Sequence, residues 1–330
     1  MRAGKALACA AGTGLLLFGQ SALGFDLVGH RGARGLVPEN TLPSFARALS
    51  LGVTVLELDT AVTADGVIVI SHDASLNPNI TRDKDGKWLE KPGPVIYAIT
   101  FSELQGYDVG RLKPDTSYAK SFPEQKAMDG TRIPRLADLF ALVRKSGNEG
   151  VRFNIEIKTS PLKPGETPDP EAYAGRVVDL IRREGMEARS SILAFDWRVL
   201  QAVQKIAPAI PTVYLTVQQR AFDNIAAGRP EGSPWTAGFQ HRDHASVPRM
   251  VKAAGGKTWS PYFGDLTEAL VKEAHDLGLQ VAVWTVNQAG DARRMLDLGV
   301  DAITTDRPDV VREAMKERGM ALPPATPVQP

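Results

Sequence analysis

Cysteine is nearly absent: Cys9 is the only one in 330 residues, and everything from residue 25 onward is free of thiols. That excludes disulfide staples and a cysteine nucleophile from the body of the chain. An excess of charge is missing too. Without Arg2 and Lys5 the 39 basic residues fall to 37 against 38 acidic ones. This balance gives no electrostatic case for nucleic acid or an anionic membrane surface as partner. No apolar run is long enough for a membrane span; the run ending near Phe18 falls well short of the roughly 20 residues required. A phosphate-cradling G-x-x-x-x-G-K-[ST] loop and a G-x-S-x-G elbow are both absent, which argues against a nucleotide-driven kinase and a serine hydrolase.

The first residues are read as a targeting signal. Arg2 and Lys5 precede the apolar run, and Ala22-Leu23-Gly24 places small residues at the −3 and −1 positions of a cleavage site. Residues 1–24 are therefore expected to be a signal peptide cut after Gly24, leaving no stable membrane anchor. Cys9 precedes most of the apolar run, whereas a lipoprotein cysteine follows it. A periplasmic or secreted location follows. Residues 25–319 suit one large domain, and the Pro-rich tail 320–330 is expected to be disordered.

Within that domain, apolar runs alternate with helical periodicity. Phe25 to Gly29 reads as a strand, and a helix opens at Pro38-Glu39-Asn40-Thr41, with Asn40 or Thr41 as cap and Pro43 in its first turn. Leu42, Phe45, Ala46 and Leu49 form its apolar face, and Gly52 ends it. Strands at Val53–Asp59 and Val67–Ser71 flank an Asp65-Gly66 turn. Later extended candidates lie at 151–157, 191–195, 212–215, 257–259, 280–285 and 302–304, with helical stretches between several of them. Such alternation predicts an α/β fold with a parallel sheet covered by helices. Nine extended candidates are close to the eight of a (β/α)8 TIM barrel, with 257–259 the one expected to be loop. A doubly wound sheet is the alternative, but Gly29, Gly32 and Gly35 do not give the dinucleotide fingerprint. Residues 74 to about 132 break the rhythm, with one helix-like patch at Thr100 to Leu104, and read as an insertion after the third strand. A segment of this length in a compact domain is usually a lid or small subdomain.

The strand ends carry the chemistry. Residues two apart on a strand share a face, so Val53, Val55, Glu57 and Asp59 point one way, apolar until two carboxylates appear at the C-terminal end. Two buried carboxylates on one face call for a counter-charge, and a hard cation such as Ca²⁺ or Mg²⁺ prefers carboxylate oxygen. Asn154, Glu156 and Lys158 repeat the device, Glu156 as a third carboxylate and Lys158 as an anion holder. His30 and His72 end two further runs and supply groups that titrate near neutrality. Arg31 offers a guanidinium fork that matches phosphate oxygens. His241, His244 and His275 have no such setting and are read as structural. A cation site, two cationic side chains and two histidines form a phosphoryl-transfer constellation.

The sequence resembles the glycerophosphodiester phosphodiesterase family, secreted bacterial members above all. The matching stretches are HRG (30–32), PENT (38–41), ELD (57–59), T-x-DG (63–66), HD (72–73), EIK (156–158), VWTVN (283–287) and TDRPD (305–309). They fall in the family's order and span the chain from residue 30 on. The resemblance implies a TIM barrel that hydrolyses small glycerophosphodiesters to sn-glycerol 3-phosphate and an alcohol. It implies His30 and His72 as the acid/base pair and Glu57, Asp59 and Glu156 as ligands of one divalent cation. Arg31 and Lys158 would contact phosphate, and Trp284 would form an aromatic wall beside the glycerol. One departure is Ala194, where the family commonly has Ser; it questions a polar contact from that strand. Two other readings share the barrel. A phospholipase C- or D-like enzyme acting on lipid head groups calls for an apolar or basic membrane-facing rim. A non-catalytic binding protein would lack a histidine or a carboxylate, and here each position is filled.

Overall fold

The computed structural model describes residues 24–330. The expected signal peptide, apart from Gly24, lies outside the described residues, as does Cys9. Nine strands follow in order: β1 Asp26–Gly29, β2 Val55–Val62, β3 Ile68–Ile70, β4 Arg152–Ile157, β5 Ser190–Ala194, β6 Thr212–Thr216, β7 Thr258–Pro261, β8 Gln280–Val283 and β9 Ala302–Thr305. Among the described residues there are eleven α-helices: α1 Leu42–Leu51, α2 Phe101–Leu104, α3 Ser117–Ser121, α4 Leu136–Lys145, α5 Pro170–Arg183, α6 Trp197–Ile206, α7 His241–His244, α8 Val247–Ala253, α9 Glu268–Asp276, α10 Ala289–Asp297 and α11 Pro308–Glu317. Eight strands form a closed parallel barrel, β1-β9-β8-β7-β6-β5-β4-β2, sealed by pairing of β1 with β2. The expected TIM barrel is therefore present.

The surplus strand is not the one the sequence suggested. Residues 258–261 are barrel strand β7, paired in parallel with β6 and β8. It is β3 that stands outside, antiparallel to β2. The reason is the Asp65-Gly66 turn: Thr63 accepts from Gly66 N–H, and Gly66 sits at φ +82. A connection this short can only return the chain antiparallel, because a parallel neighbour needs a crossover of a dozen or more residues.

Two layers of apolar packing hold the barrel. Inside, Val28, Val55, Ala282 and Ala302 fill one layer, and Leu193, Val213 and Leu215 another. Leu56, Leu58, Phe153, Ile155 and Ile157 point outward into the larger core beneath the helices. The helix that follows β1 shows how sequence sets the geometry. Thr41 caps α1, Pro43 fits its first turn, and Gly52 at φ +79 closes it. Asn40, the other capping candidate, is freed for a different task.

The insertion has its own small core of Leu76, Ile96, Leu104, Val109 and Ile133, packed on Ala61 and Val69. It contains α2, closed by a Thr100–Glu103 capping box, and a second helix, α3, not anticipated from sequence. With few apolar residues spread over many turns, helical periodicity is too short to read there. Residues 320–330 are laid along the barrel, with Thr326 N–H donating to Leu49 O, Arg312 donating to Pro323 O and Lys145 to Gln329 O. Leu322 and Val328 pack on the main core, apolar contacts that a proline-rich composition conceals.

Candidate active site at the C-terminal mouth of the barrel

Register brings the acidic residues together. In the β2–β4 pairing Asp59 lies directly opposite Glu156, with Glu57 two residues earlier on the same face. Carboxylate oxygens of Glu57, Asp59 and Glu156 lie within 4.8 Å of one another, and all three residues are buried. Burial, followed by repulsion from Asp59 and Glu156, pushes the Glu57 carboxyl well above its ordinary range. Burial also raises Glu156, to about 7, against the pull of Lys158 and with the push of Asp59. Burial opposes ionisation of Asp59 as well, but Lys158 and Arg31 overcome it and hold that carboxyl well below its usual range. The Lys158 ammonium is 3.0 Å from Asp59 Oδ1 and 2.8 Å from Glu156 Oε1, and Arg31 Nε is 3.2 Å from Asp59 Oδ2. Asn40 supports the same carboxylate through a 2.9 Å hydrogen bond from Nδ2.

These residues fit a hard divalent cation. Asp59 Oδ1 is fully buried and accepts no hydrogen bond of acceptable geometry, although it faces Lys158. The donors are all carboxylate oxygens, the set that Ca²⁺ and Mg²⁺ favour. Charge points the same way. Among the described residues, Glu39, Glu57, Asp59, Glu156 and Asp306 are enclosed with Arg31, Arg34 and Lys158 as their cations, an excess of two negative charges if all five ionise beside neutral histidines.

His30 and His72 both reach the site. His30 Nδ1 is 2.6 Å from Asp306 Oδ1, and its Nε2 lies 3.8 Å from Glu57 Oε2. Burial lowers the His30 pKa to about 4, against the opposing attraction of Asp306. Asp306 is itself clamped: Arg34 donates to both its oxygens, at 2.8 and 2.9 Å, and Asn287 donates at 2.7 Å. His72 Nδ1 is 2.9 Å from Asp73 Oδ1, a more exposed partner steadied by Asn77. Burial lowers the His72 pKa as well, with Arg31 and Lys158 adding to the effect.

Backbone shape at the HRG turn follows from packing. A Cβ on Gly32, at φ +85, would meet Ser44 Oγ at 2.6 Å and Phe45 N at 2.9 Å, so only glycine lets the turn seat on α1. Ser44 Oγ then bonds Ala33 N–H and Arg31 O. Arg31 and Asn40 both adopt left-handed φ, at 49 and 55, a conformation concentrated at functional loops.

A cavity of about 230 Å³ opens onto His30, Arg31, Glu57, His72, Glu156 and Lys158, with Leu215, Phe195 and Trp284 as its apolar side. Every sequence-predicted residue except Asp59 lines it directly; Asp59 stands just behind, in contact with Arg31 and Lys158. Trp284 is fixed by its Nε1 bond to Ser260 O at 2.9 Å and packs edge-on to Phe195. Ala194 faces the outer core rather than the cavity, so its departure from Ser removes no polar group from the site. His241, His244 and His275 lie elsewhere. Sequence reasoning missed Glu39, Arg34, Asn40, Asn287 and Asp306 as parts of the site. Asp306 had a signal: closing a barrel makes first and last strands neighbours, so the residues after β1 and β9 must meet.

Residues 30–310 match the glycerophosphoryl diester phosphodiesterase family. The glycerophosphodiester phosphodiesterase of Caldanaerobacter subterraneus is 28% identical over 294 residues, covering 89% of this chain and 98% of that protein. A crystal structure from Silicibacter pomeroyi DSS-3, assigned to the same phosphodiesterase class, is 37% identical with a TM-score of 0.80, covering 90% and 95% of the two chains. An Oleispira antarctica phosphodiesterase, solved with the product sn-glycerol-3-phosphate, shares the fold at 20% identity and a TM-score of 0.64 over 88% and 96% of the chains. The chain belongs to the glycerophosphoryl diester phosphodiesterase family.

Proposed function

We propose that the protein hydrolyses glycerophosphodiesters to sn-glycerol 3-phosphate and an alcohol, with His30 and His72 dividing the proton transfers. The observation that carries this reading is the meeting of two histidines, Arg31, Lys158, Glu57 and Glu156 on one small cavity, with Asp59 completing the carboxylate cluster just behind it. Arg31 and Lys158 bind the phosphoryl oxygens, and the apolar wall of Phe195 and Trp284 lies against the glycerol carbons. His30 is the base: Asp306 holds its Nδ1 side, which leaves Nε2 to take the proton of the glycerol 2-hydroxyl as that oxygen attacks phosphorus. His72, paired with the more exposed Asp73, protonates the departing alcohol. The cyclic phosphate so formed is opened by water, with the two histidines exchanging roles. Glu57, Asp59 and Glu156 would hold one divalent cation, Ca²⁺ or Mg²⁺, which supplies charge neutralisation at the phosphoryl group.

Two features set the context. The apparent leader, residues 1–24, directs the enzyme to the periplasm or the medium, a reading that amino-terminal sequencing of the mature protein tests. Among the described residues no helix is long and apolar enough to cross a membrane. The direct test of the chemistry is product analysis of His30→Ala and His72→Ala. Each variant should lose most turnover while keeping the wild-type fold; near wild-type kcat in both would overturn the assignment.

A further inference from the structure

Besides the Asn77 bond to Asp73, the inserted segment reaches the site through specific contacts at the loop between β1 and α1. Tyr118, on α3, donates its hydroxyl to Glu39 Oε2. The other Glu39 oxygen accepts from Arg31 Nη1 at 2.6 Å. Four residues after Tyr118, the Phe122 ring lies 4.6 Å from the Arg34 guanidinium carbon, and the two rings pack edge-on at 5.3 Å. Gln125 Nε2 donates to Arg34 O at 2.7 Å, and Lys126 N–H donates to Leu36 O at 2.9 Å. One short stretch of insertion therefore grips the loop between β1 and α1 at both of its arginines.

Those arginines have different downstream partners. Arg31 lines the cavity and leans on Asp59, while Arg34 clamps Asp306, which in turn holds His30. A guanidinium with only one side braced can swing about its long stem; a ring face and a shared carboxylate remove that freedom. We propose that Tyr118 and Phe122 are positioning residues: Tyr118 sets Arg31 through Glu39, and Phe122 sets Arg34 and hence the Asp306–His30 pair. The insertion thus braces, from behind the cavity, the loop that carries both arginines. This rests on the phosphodiesterase reading only for its kinetic readout, because the geometry concerns an anion site whatever the substrate.

The test uses the full mature chain with its divalent cation, and the variants Tyr118→Phe, Phe122→Leu and Phe122→Tyr. Tyr118→Phe removes one hydroxyl and keeps the ring. It should raise KM for glycerophosphocholine and weaken inorganic phosphate binding, measured by calorimetry, about ten- to hundredfold, as losses of outer supporting groups do. Its kcat should change less, and its thermal midpoint should stay near wild type. Phe122→Leu should act mainly on kcat, and Phe122→Tyr, which restores a ring face, should recover it. Unchanged phosphate affinity in Tyr118→Phe would overturn the proposal, as would activity losses that track only a fall in thermal midpoint. If the wild type binds phosphate but cleaves no diester, the substrate reading fails while the phosphate arm still decides the role of Tyr118.

Discussion

His30 and Asp306, 276 positions apart in sequence, sit 2.6 Å apart at the seam where the first and last barrel strands join. The carboxylate is buried and receives three further hydrogen bonds from Arg34 and Asn287. It therefore fixes which imidazole nitrogen faces the cavity. Asp306→Asn keeps the shape but offers an amide that can present either face. Loss of the correct tautomer should lower kcat by about a hundred- to ten-thousandfold with little change in KM. Steady-state kinetics with nitrogen NMR of the His30 ring checks both halves of that expectation.

The acidic cluster predicts an unusual pH response in cation-free protein. Glu156 has a folded pKa of about 7, above the ordinary carboxyl value. A raised acid contributes stability that is complete below its unfolded pKa and is lost as pH rises through the folded one. Because the lowered His30 and His72 act in the opposite sense over the same range, the effect is read as a difference: relative to Glu156→Gln, the chelated wild type should lose stability across pH 4.5 to 7. Bound Ca²⁺ or Mg²⁺ should cancel the loss, since the cation stabilises the ionised cluster and the folded state together. Thermal unfolding across that range, with chelator and with each cation, measures it.

Glu57 should separate stability from function. Burial and its acidic neighbours already favour its neutral form, so Glu57→Gln leaves the cation-free fold as stable as wild type or more so. The same change removes one of three carboxylates from the cation site. Calorimetric affinity for Ca²⁺ should fall at least about tenfold, and turnover should fall with it. A variant that is destabilised yet still binds the cation at wild-type affinity would contradict this arrangement.

Much of this site was legible in the sequence. Period-two patterning placed Glu57 and Asp59 on one strand face and Glu156 with Lys158 on another, and that periodicity is a local property. What brings them together is the β2–β4 register, which pairs Asp59 with Glu156 across the whole insertion and is set by the barrel. The supporting groups were hidden for the same reason: Asn40 reads as a helix cap, yet Thr41 takes that task and leaves Asn40 to Asp59. Residues 257–259 are the extended candidate expected to be loop because so short a run holds no Val or Ile, though Trp259 is buried between neighbouring strands.

The tail offers a test of the fold. Deleting residues 321–330 removes the bonds from Thr326 to Leu49 and from Arg312 to Pro323, with the packing of Leu322 and Val328. Denaturant unfolding should register a loss of about 2–4 kcal/mol, with kcat unchanged because the tail does not line the cavity.

The most direct measurement is release of sn-glycerol 3-phosphate from glycerophosphocholine, -ethanolamine, -glycerol and -inositol by the mature protein, assayed with Ca²⁺, with Mg²⁺ and with chelator. The three-carboxylate, two-histidine site predicts turnover of at least one diester that chelator abolishes and a divalent cation restores. Turnover that persists undiminished in chelator would contradict it.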